Sequence, residues 1–469
     1  MKKNQSSTHE NACSWKFWLW LLSTFLLVLI LVAITTAWLV RHALMSGPRL
    51  TEEQSHMVLS VAEFPLKVKL AMQVLFSGQS TILMDSKEVE KPSWVRHFPE
   101  LEDKGYLLFS GVDFKAKQPV VTLTRIADGA EIARWQPDLL LINNQITDKK
   151  WAPKGSANNL RPIHPLLLNG GDIIFNTGTS LVRQSTCSAK PIWVLDEIVH
   201  HSNELDENGD AVWSPSVSED SFPRNLWLRN HIRDDALGHF SLTGKLLERR
   251  SFSSILMDNG FGSLLMGTSG MAFNEDPIHM NQIKVAKFNS RYWKRGDLLI
   301  STRHLSTIFL YRPSNNKIIW HQTGPWMNQH SVDFVDDHRI SVFSNNVVSG
   351  LPKEHSFLTP NDINRVYVFD FDNNQASQPY EKLLTATRPI TLTEGRAQIL
   401  PDGGLFIEET NYGRQLRFTK DALLWSRVND YDDRRIGLLS WSRYLTAEEA
   451  SIPLKALAEK NCQNVSKLH

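Results

Sequence analysis

From Gly105 to about residue 430 the chain repeats one short pattern: a run rich in Val, Ile, Leu, Phe and Tyr, a tight turn of Gly, Asn and Asp, then a second such run. The turns include NGGD at 169–172, ENGD at 207–210 and PDGG at 401–404. Turn residues recur roughly every 8–12 positions, the spacing of short antiparallel strands. A third run follows, often with a fourth that ends near a tryptophan: Trp135, Trp193, Trp320 and Trp425. Four antiparallel strands in about 40–50 residues make one blade of a propeller, whose faces are buried only against neighbouring blades. Six such units fit between residues 100 and 430. The fold expected is therefore all-β, a six-bladed β-propeller, with seven blades as the rival count because the repeat is degenerate. Apolar residues at helical spacing are scarce after residue 100, which excludes a helical solenoid.

A different signal precedes the propeller. Phe17 to Val40 reads FWLWLLSTFLLVLILVAITTAWLV, without a charge. About 20 apolar residues span a bilayer, whereas the apolar core of a cleaved signal peptide is about 7–15 residues. One N-terminal transmembrane helix is expected. Lys2, Lys3 and Lys16 precede it and Arg41 and Arg49 follow. That bias puts the N-terminus in the cytoplasm and the remainder outside the cytoplasmic membrane. The expected organisation is a cytoplasmic tail at 1–16, an anchor at 17–40, a helical juxtamembrane connector at 41–100, the propeller at 101–445 and a tail at 446–469. In the connector, Thr51 is a candidate helix cap with Glu53 in the first turn, and LKVKLAMQVLFSG a candidate second helix. In the closing region, GLLSWSRYLT is a candidate ring-closing strand and AEEASIPLKALAEK a short helix.

Fifty-one Lys and Arg against fifty Asp and Glu leave no basic excess, so no nucleic-acid partner is expected. Cys187 and Cys462 follow the span, and a disulfide between them is an option in an oxidising compartment. DENGD at 206–210 resembles a calcium loop, but Ala211 stands where the loop needs Gly and Val217 where it needs Glu. It reads instead as a turn between strands. No phosphate-binding P-loop or GxSxG nucleophile pattern is present.

Chemistry concentrates in four strings: VHHSNELDENGDAVW, DPIHMNQIKVA, GDLLISTRHLSTIF and NQHSVDFVDDHRISVFSNN. They place His201, His279, Arg303 and His330 at matching points of the repeat, so that three imidazoles and a guanidinium converge on one point. Imidazole serves as base, acid or nucleophile near neutral pH. Guanidinium offers a planar fork of donors to a tetrahedral oxyanion such as sulfate. His304 neighbours Arg303 and in a strand would face the other side. His231, His239, His321 and His338 read as ordinary surface or packed histidines.

Three of these motifs, the HMN of DPIHMNQI, the STRHLSTI string and the QHS…RISVFSNN string, occur in the order seen in the bacterial arylsulfate sulfotransferases. The chain resembles that family over residues 196 to 430. The resemblance implies a six-bladed propeller with its active site at the central channel. By motif, His330 is the implied nucleophile, and His279, Arg303 and His201 are its catalytic partners. Asn281, and His200 as the alternative to His201, are implied substrate-binding residues. This chain has His-Ser where the family commonly has His-Asp after the first histidine. The implied reaction moves a sulfuryl group from an aryl sulfate donor to a phenolic or other hydroxyl acceptor through a sulfohistidine, with no metal, nucleotide sulfate donor or other cofactor. The implied location is the cell inner membrane, with the propeller periplasmic. Two alternatives from other classes are a non-catalytic propeller that binds a partner or glycan, and a metal site made by His201, His279 and His330. Arg303 argues against the metal, because a fixed cation beside a metal ion is unfavourable. The segment from Ser214 to Asn230, with Trp227, is a candidate rim of the channel.

Overall fold

The computed structural model describes residues 8–44, parts of 50–65, and 83–460 except 86–92, 114–117, 148–159, 219–231, 267–275, 350–356, 359–362 and 433–434. It divides into two compact units, Met1–Ser80 and Thr81–His469.

The first unit carries a 37-residue helix, Thr8–Leu44. Its segment Trp15–Ala43 has a mean hydropathy of 2.7 and is exposed along almost all of its length, which is compatible with a single-pass membrane anchor. Ser23, Thr24, Thr35 and Thr36 donate to carbonyls four residues back at 2.7–2.9 Å. The few polar groups of the helix are thereby satisfied inside it, as a hydrocarbon environment requires. Further on, Thr51 is a cap as expected. Its hydroxyl accepts the N–H of Gln54 at 3.2 Å and its own N–H donates to the Gln54 side chain at 2.9 Å. The candidate second helix lies outside the described residues.

The second unit is a six-bladed propeller. Blade 1 is formed by Arg443–Leu445, Tyr106–Asp113, Gln118–Arg125 and Glu131–Trp135, from the axis outward. Blade 2 is Ile163–Leu167, Ile173–Asn176, Leu181–Gln184 and Trp193–Leu195. Blade 3 is Glu204–Leu205, Ala211–Val217, Asp235–Ser241 and Leu246–Ser251. Blade 4 is Met280–Val285, Leu298–Thr302, Thr307–Arg312 and Lys317–Thr323. Blade 5 is Gln329–Phe334, Arg339–Ser344, Arg365–Asp370 and Gln375–Ser377. Blade 6 is Arg396–Ile399, Leu405–Glu409, Arg414–Phe418 and Leu423–Val428. The inner strand of blade 1 comes from the far end of the chain, with Arg443 opposite Leu108, so GLLSWSRYLT does close the ring.

Among the described residues the core falls into six apolar clusters, one at each junction between blades. This explains the repeat in the sequence: each strand face is hydrophobic because a neighbouring blade covers it. The four spaced tryptophans all lie on the fourth strands of their blades, where Trp135 and Trp425 are fully buried between blades. Within the stretch expected as a helical connector, Trp94–Arg96 is instead a strand, added to the outer edge of blade 6 with Trp94 opposite Arg427. Its cause is aromatic packing: the Trp94 ring covers Trp425, with centroids 5.6 Å apart. After the propeller, Ala447–Glu459 is a helix started by a reciprocal Thr446–Glu449 cap. DENGD is a turn: Gly209 N–H donates to the Asp206 carbonyl and Asp210 N–H to its side chain. Cys187 is disulfide-bonded; Cys462 lies outside the described residues, as does most of the candidate rim 214–230.

The axis is filled by charge. Each inner strand contributes a residue to a polar network along the axis: Arg443, His164, Glu204, Lys284, Asp333 and Arg396. Arg443 donates to Glu204 at 3.2 Å and to His164 Nδ1 at 2.7 Å. Lys284 lies 3.8 Å from Glu204 and 3.1 Å from Asp333. Arg396 donates to the Ser442 carbonyl at 3.3 Å. This chain of ion pairs and one hydrogen bond ties blades 1 to 5 across the channel, while Arg396 ties blade 6 to the closing strand.

Candidate active site

All the candidate residues lie at one mouth of the channel, where inner strands begin and second strands end. The backbone there has an unusual feature. His164, His201, His279, Asn328 and Trp441, each at the start of a different inner strand, all have φ between 48° and 64°. Left-handed backbone is disfavoured for residues with a Cβ and persists only where the surroundings impose it. At His164, His201, His279 and Trp441 it lets the rings meet one another, whereas Asn328 donates to the Val347 carbonyl within blade 5.

The rings of His201 and His279 have centroids 5.1 Å apart, and those of His201 and His330 5.7 Å apart. Trp441 completes the cluster, with its ring 4.4 Å from His330, 5.0 Å from His164 and 5.9 Å from His201. The three expected histidines therefore do converge, from blades 3, 4 and 5.

His330 is fully buried, and neither ring nitrogen makes a well-formed hydrogen bond, although the Gly395 backbone is close enough to support its basicity slightly. Burial first, then the charges of Arg303 and His279, pushes its pKa well below the ordinary histidine value. The backbone on either side is fixed. Gln329 donates to the Thr302 and Thr307 carbonyls at 3.0 and 3.1 Å, and Asn281 donates to the Gln329 carbonyl at 3.0 Å. Asn281 thus supports the strand that carries His330, while its own side-chain oxygen is buried without a partner.

Arg303 opens a turn, not a strand; Ser306 N–H closes it on the Arg303 carbonyl at 3.1 Å. The guanidinium is buried, with Nε and one Nη lacking any partner. Because residues 303–306 turn, strand alternation does not apply to His304. Its ring stacks on His279 at 4.4 Å instead of facing away, which corrects the reading of it as uninvolved.

Two carboxylates stand behind the histidines. Asp276 Oδ2 is 2.5 Å from His279 Nδ1. Burial works to raise the Asp276 carboxyl, but the hydrogen bond and charge of His279, with Arg233 and His304, outweigh it and hold it at about 2. Asp235 lies behind His200, its Oδ1 3.3 Å from His200 Nε2. His200, a candidate for substrate contact, points back into blade 3, and its Nδ1 meets that of His201 at 2.7 Å. Sequence reasoning missed His164, Trp441, Asp235 and Asp276. Asp276 had a signal three residues before His279; Asp235 had none, because it arrives from the third strand of its blade.

The ligand-type atoms of Asp276, His279 and His304 lie within 4.8 Å of one another, a spacing a metal ion would accept. Arg303 opens the turn that carries His304, and its charge opposes a second cation at that point. A tetrahedral oxyanion suits the buried guanidinium of Arg303, whose Nε and one Nη are unused donors, better than a metal ion does.

A family model described as Arylsulfotransferase (ASST) matches residues 164–429, more than half of the chain. No curated protein matches. Among solved structures, a protein of unknown function from Bacteroides caccae is 11% identical with a TM-score of 0.41, over 73% of this chain and 99% of that one. The Neurospora crassa Pan2 WD40 domain is 11% identical with a TM-score of 0.37, over 72% and 86%. Hydrazine synthase from Kuenenia stuttgartiensis is 8% identical with a TM-score of 0.37, over 68% and 79%.

Proposed function

The chain belongs to the arylsulfotransferase (ASST) family, and from that premise we propose that it moves a sulfuryl group from an aryl sulfate donor to a phenolic or other hydroxyl acceptor, through a sulfohistidine at His330. The observation that carries this reading is His330 itself: a buried imidazole with both nitrogens free of well-formed hydrogen bonds, beside a buried arginine with unused donors.

A neutral imidazole nitrogen is the nucleophilic form, and burial favours it. In the first half-reaction that nitrogen attacks sulfur, the N–S bond forms and the S–O bond to the aryl group breaks. The leaving phenolate takes a proton from an imidazolium at His201 or His279. In the second, the acceptor hydroxyl returns a proton to that histidine, its oxygen attacks sulfur, and the N–S bond breaks to regenerate His330. Charge on the three sulfuryl oxygens meets Arg303 and His279, whose donors are already in place and need no reorganisation. Trp441 supplies an aromatic wall beside His330.

The compartment belongs to the same proposal. The apolar helix, compatible with a single-pass anchor, and the disulfide at Cys187, which suits an oxidising space, both support an inner-membrane protein with its propeller on the periplasmic side. The test is incubation with 4-nitrophenyl sulfate, with and without a phenol. The expected result is nitrophenolate release that needs the acceptor for turnover, and one added sulfuryl group on His330 by peptide mass mapping when the acceptor is withheld. An adduct on another residue, or no adduct and no release over a broad donor panel, contradicts it.

A further inference from the structure

His200 and His201 are neighbours in sequence that face opposite ways. His201, at φ 57°, turns its ring to the axis. His200 turns into blade 3, toward Asp235 at the start of that blade's third strand. The two Nδ1 atoms are 2.7 Å apart, and His200 Nε2 is 3.3 Å from Asp235 Oδ1. The other Asp235 oxygen accepts the backbone N–H of Met280, the residue after His279. Arg233 Nε lies 3.6 Å from Oδ1. His200 and Asp235 are buried, and neither opens to the channel mouth.

Two ring nitrogens at this separation share one proton. Which ring owns it is decided further back. His200 Nε2 and Asp235 Oδ1 are in ion-pair contact without a well-formed hydrogen bond, and a carboxylate, which only accepts, favours the tautomer with the hydrogen on the nitrogen that faces it. A neutral His200 then has a bare Nδ1. The proton between the rings therefore belongs to His201 Nδ1, and His201 Nε2 is left with its lone pair. Burial, followed by the charges of His200, His279, His330 and Arg233, lowers the His201 pKa, which favours the neutral ring that the second half-reaction needs once the leaving phenolate has taken its proton.

We propose that Asp235 and His200 are positioning residues that fix the tautomer of His201, so that His201 Nε2 is the base taking the proton of the acceptor hydroxyl. The proposal rests on the sulfuryl-transfer reading and adds to it which histidine handles the proton and what sets it. When His201 takes that proton, the new positive charge is stabilised through its hydrogen bond to His200 and by the Asp235 carboxylate behind it, and the same proton returns to the leaving oxygen in the next cycle. The role parallels the carboxylate behind a catalytic histidine in hydrolase triads, with one extra imidazole between.

The test is Asp235→Asn in the full chain in detergent. An amide oxygen can still accept the Met280 N–H, while its NH2 faces His200 Nε2 and reverses both tautomers. The His330 adduct from 4-nitrophenyl sulfate, whose acidic phenol leaves without help, is expected to form within about threefold of the wild-type rate. Turnover with a phenol acceptor is expected to fall by about 10²-fold or more, as wrong-tautomer variants of catalytic triads do. Equal slowing of both steps, or of neither, overturns the relay. If the wild-type protein itself makes no adduct, the sulfuryl-transfer reading fails instead, so the two failures are told apart. Should the variant not fold, nitrogen NMR of labelled histidines in the wild-type protein decides: Nδ1–H on His201 with Nε2–H on His200 supports the relay, and the reverse pair overturns it.

Discussion

The Trp441 indole stands edge-on to the His330 imidazole, with centroids 4.4 Å apart and planes at 87°. The contact joins the closing strand of the ring to the candidate nucleophile. It depends on Glu408 of blade 6, whose two oxygens accept the backbone N–H groups of Trp441 and Ser442, each at 2.7 Å. Those bonds hold Trp441 at φ 64°. One buried carboxylate thus couples ring closure to the wall of the site.

Replacing that carboxylate should damage both. In Glu408→Gln one of the two backbone N–H groups faces an NH2 and is left unsatisfied in the interior, a cost of about 1–3 kcal/mol. The expected outcome is a lower unfolding midpoint together with slower adduct formation at His330. Reduced stability with adduct formation unchanged would show that Trp441 does not depend on Glu408 for its place.

Arg303 should trade stability for activity. Its guanidinium is buried with Nε and one Nη unpartnered, and burial lowers its pKa against the opposing charge of Asp276. Replacing an uncompensated buried cation by an apolar chain of similar length relieves desolvation, by about 1 kcal/mol or more. Arg303→Met is therefore expected to raise the thermal midpoint while cutting transfer by about 10²–10³-fold, the usual loss for one oxyanion donor. A variant that loses both stability and activity would mean the arginine is a structural partner.

The nucleophile should remain usable in mild acid. Burial, then Arg303 and His279, holds the His330 pKa well below the ordinary value. A free histidine is half protonated near pH ~6.5. With a depressed pKa the neutral ring persists as pH falls through that value, so adduct formation should stay level there and decline only at lower pH. Stopped-flow measurement of nitrophenolate release across the range checks this, and a decline centred on the free-histidine value would contradict it. In Arg303→Met the decline should move up in pH, because one opposing charge is gone.

The blades were legible in the sequence because each one needs the next: apolar strand faces, turn residues at short intervals and fourth-strand tryptophans all record burial between neighbours. His201, His279 and His330 were legible because each stands at or just before the inner strand of its blade, and Arg303 because it follows the second strand of blade 4 at the same mouth of the channel. What was hidden follows from broken alternation. His279 and Trp441 take left-handed backbone and residues 303–306 form a turn, so counting odd and even positions misplaced His304 and overlooked Trp441. Asp235 reaches His200 across two strands, and Trp94–Arg96 joins a blade far away in the chain; neither relation has a local signature.

Glu204 offers the sharpest test of the charged axis. Burial alone would raise its carboxyl, but Arg443, Lys284 and Arg396 outweigh that and bring it to about 2, against an ordinary 4.5. A group whose folded pKa is depressed adds stability that is fully present above its unfolded value and is lost as pH falls toward the folded one. The window here runs from pH 4.5 down to about 2, and the stability at stake is on the order of 3 kcal/mol. Glu204→Gln removes this term and also leaves Arg443 without its carboxylate, a loss of about 3–5 kcal/mol at neutral pH when a buried pair is broken. Denaturant unfolding followed by tryptophan fluorescence at several pH values should show the variant less stable at neutrality, with a shallower fall below pH ~4.5 than the wild-type protein. Parallel curves for the two proteins would mean that Glu204 is not the carboxylate that holds the inner strands together.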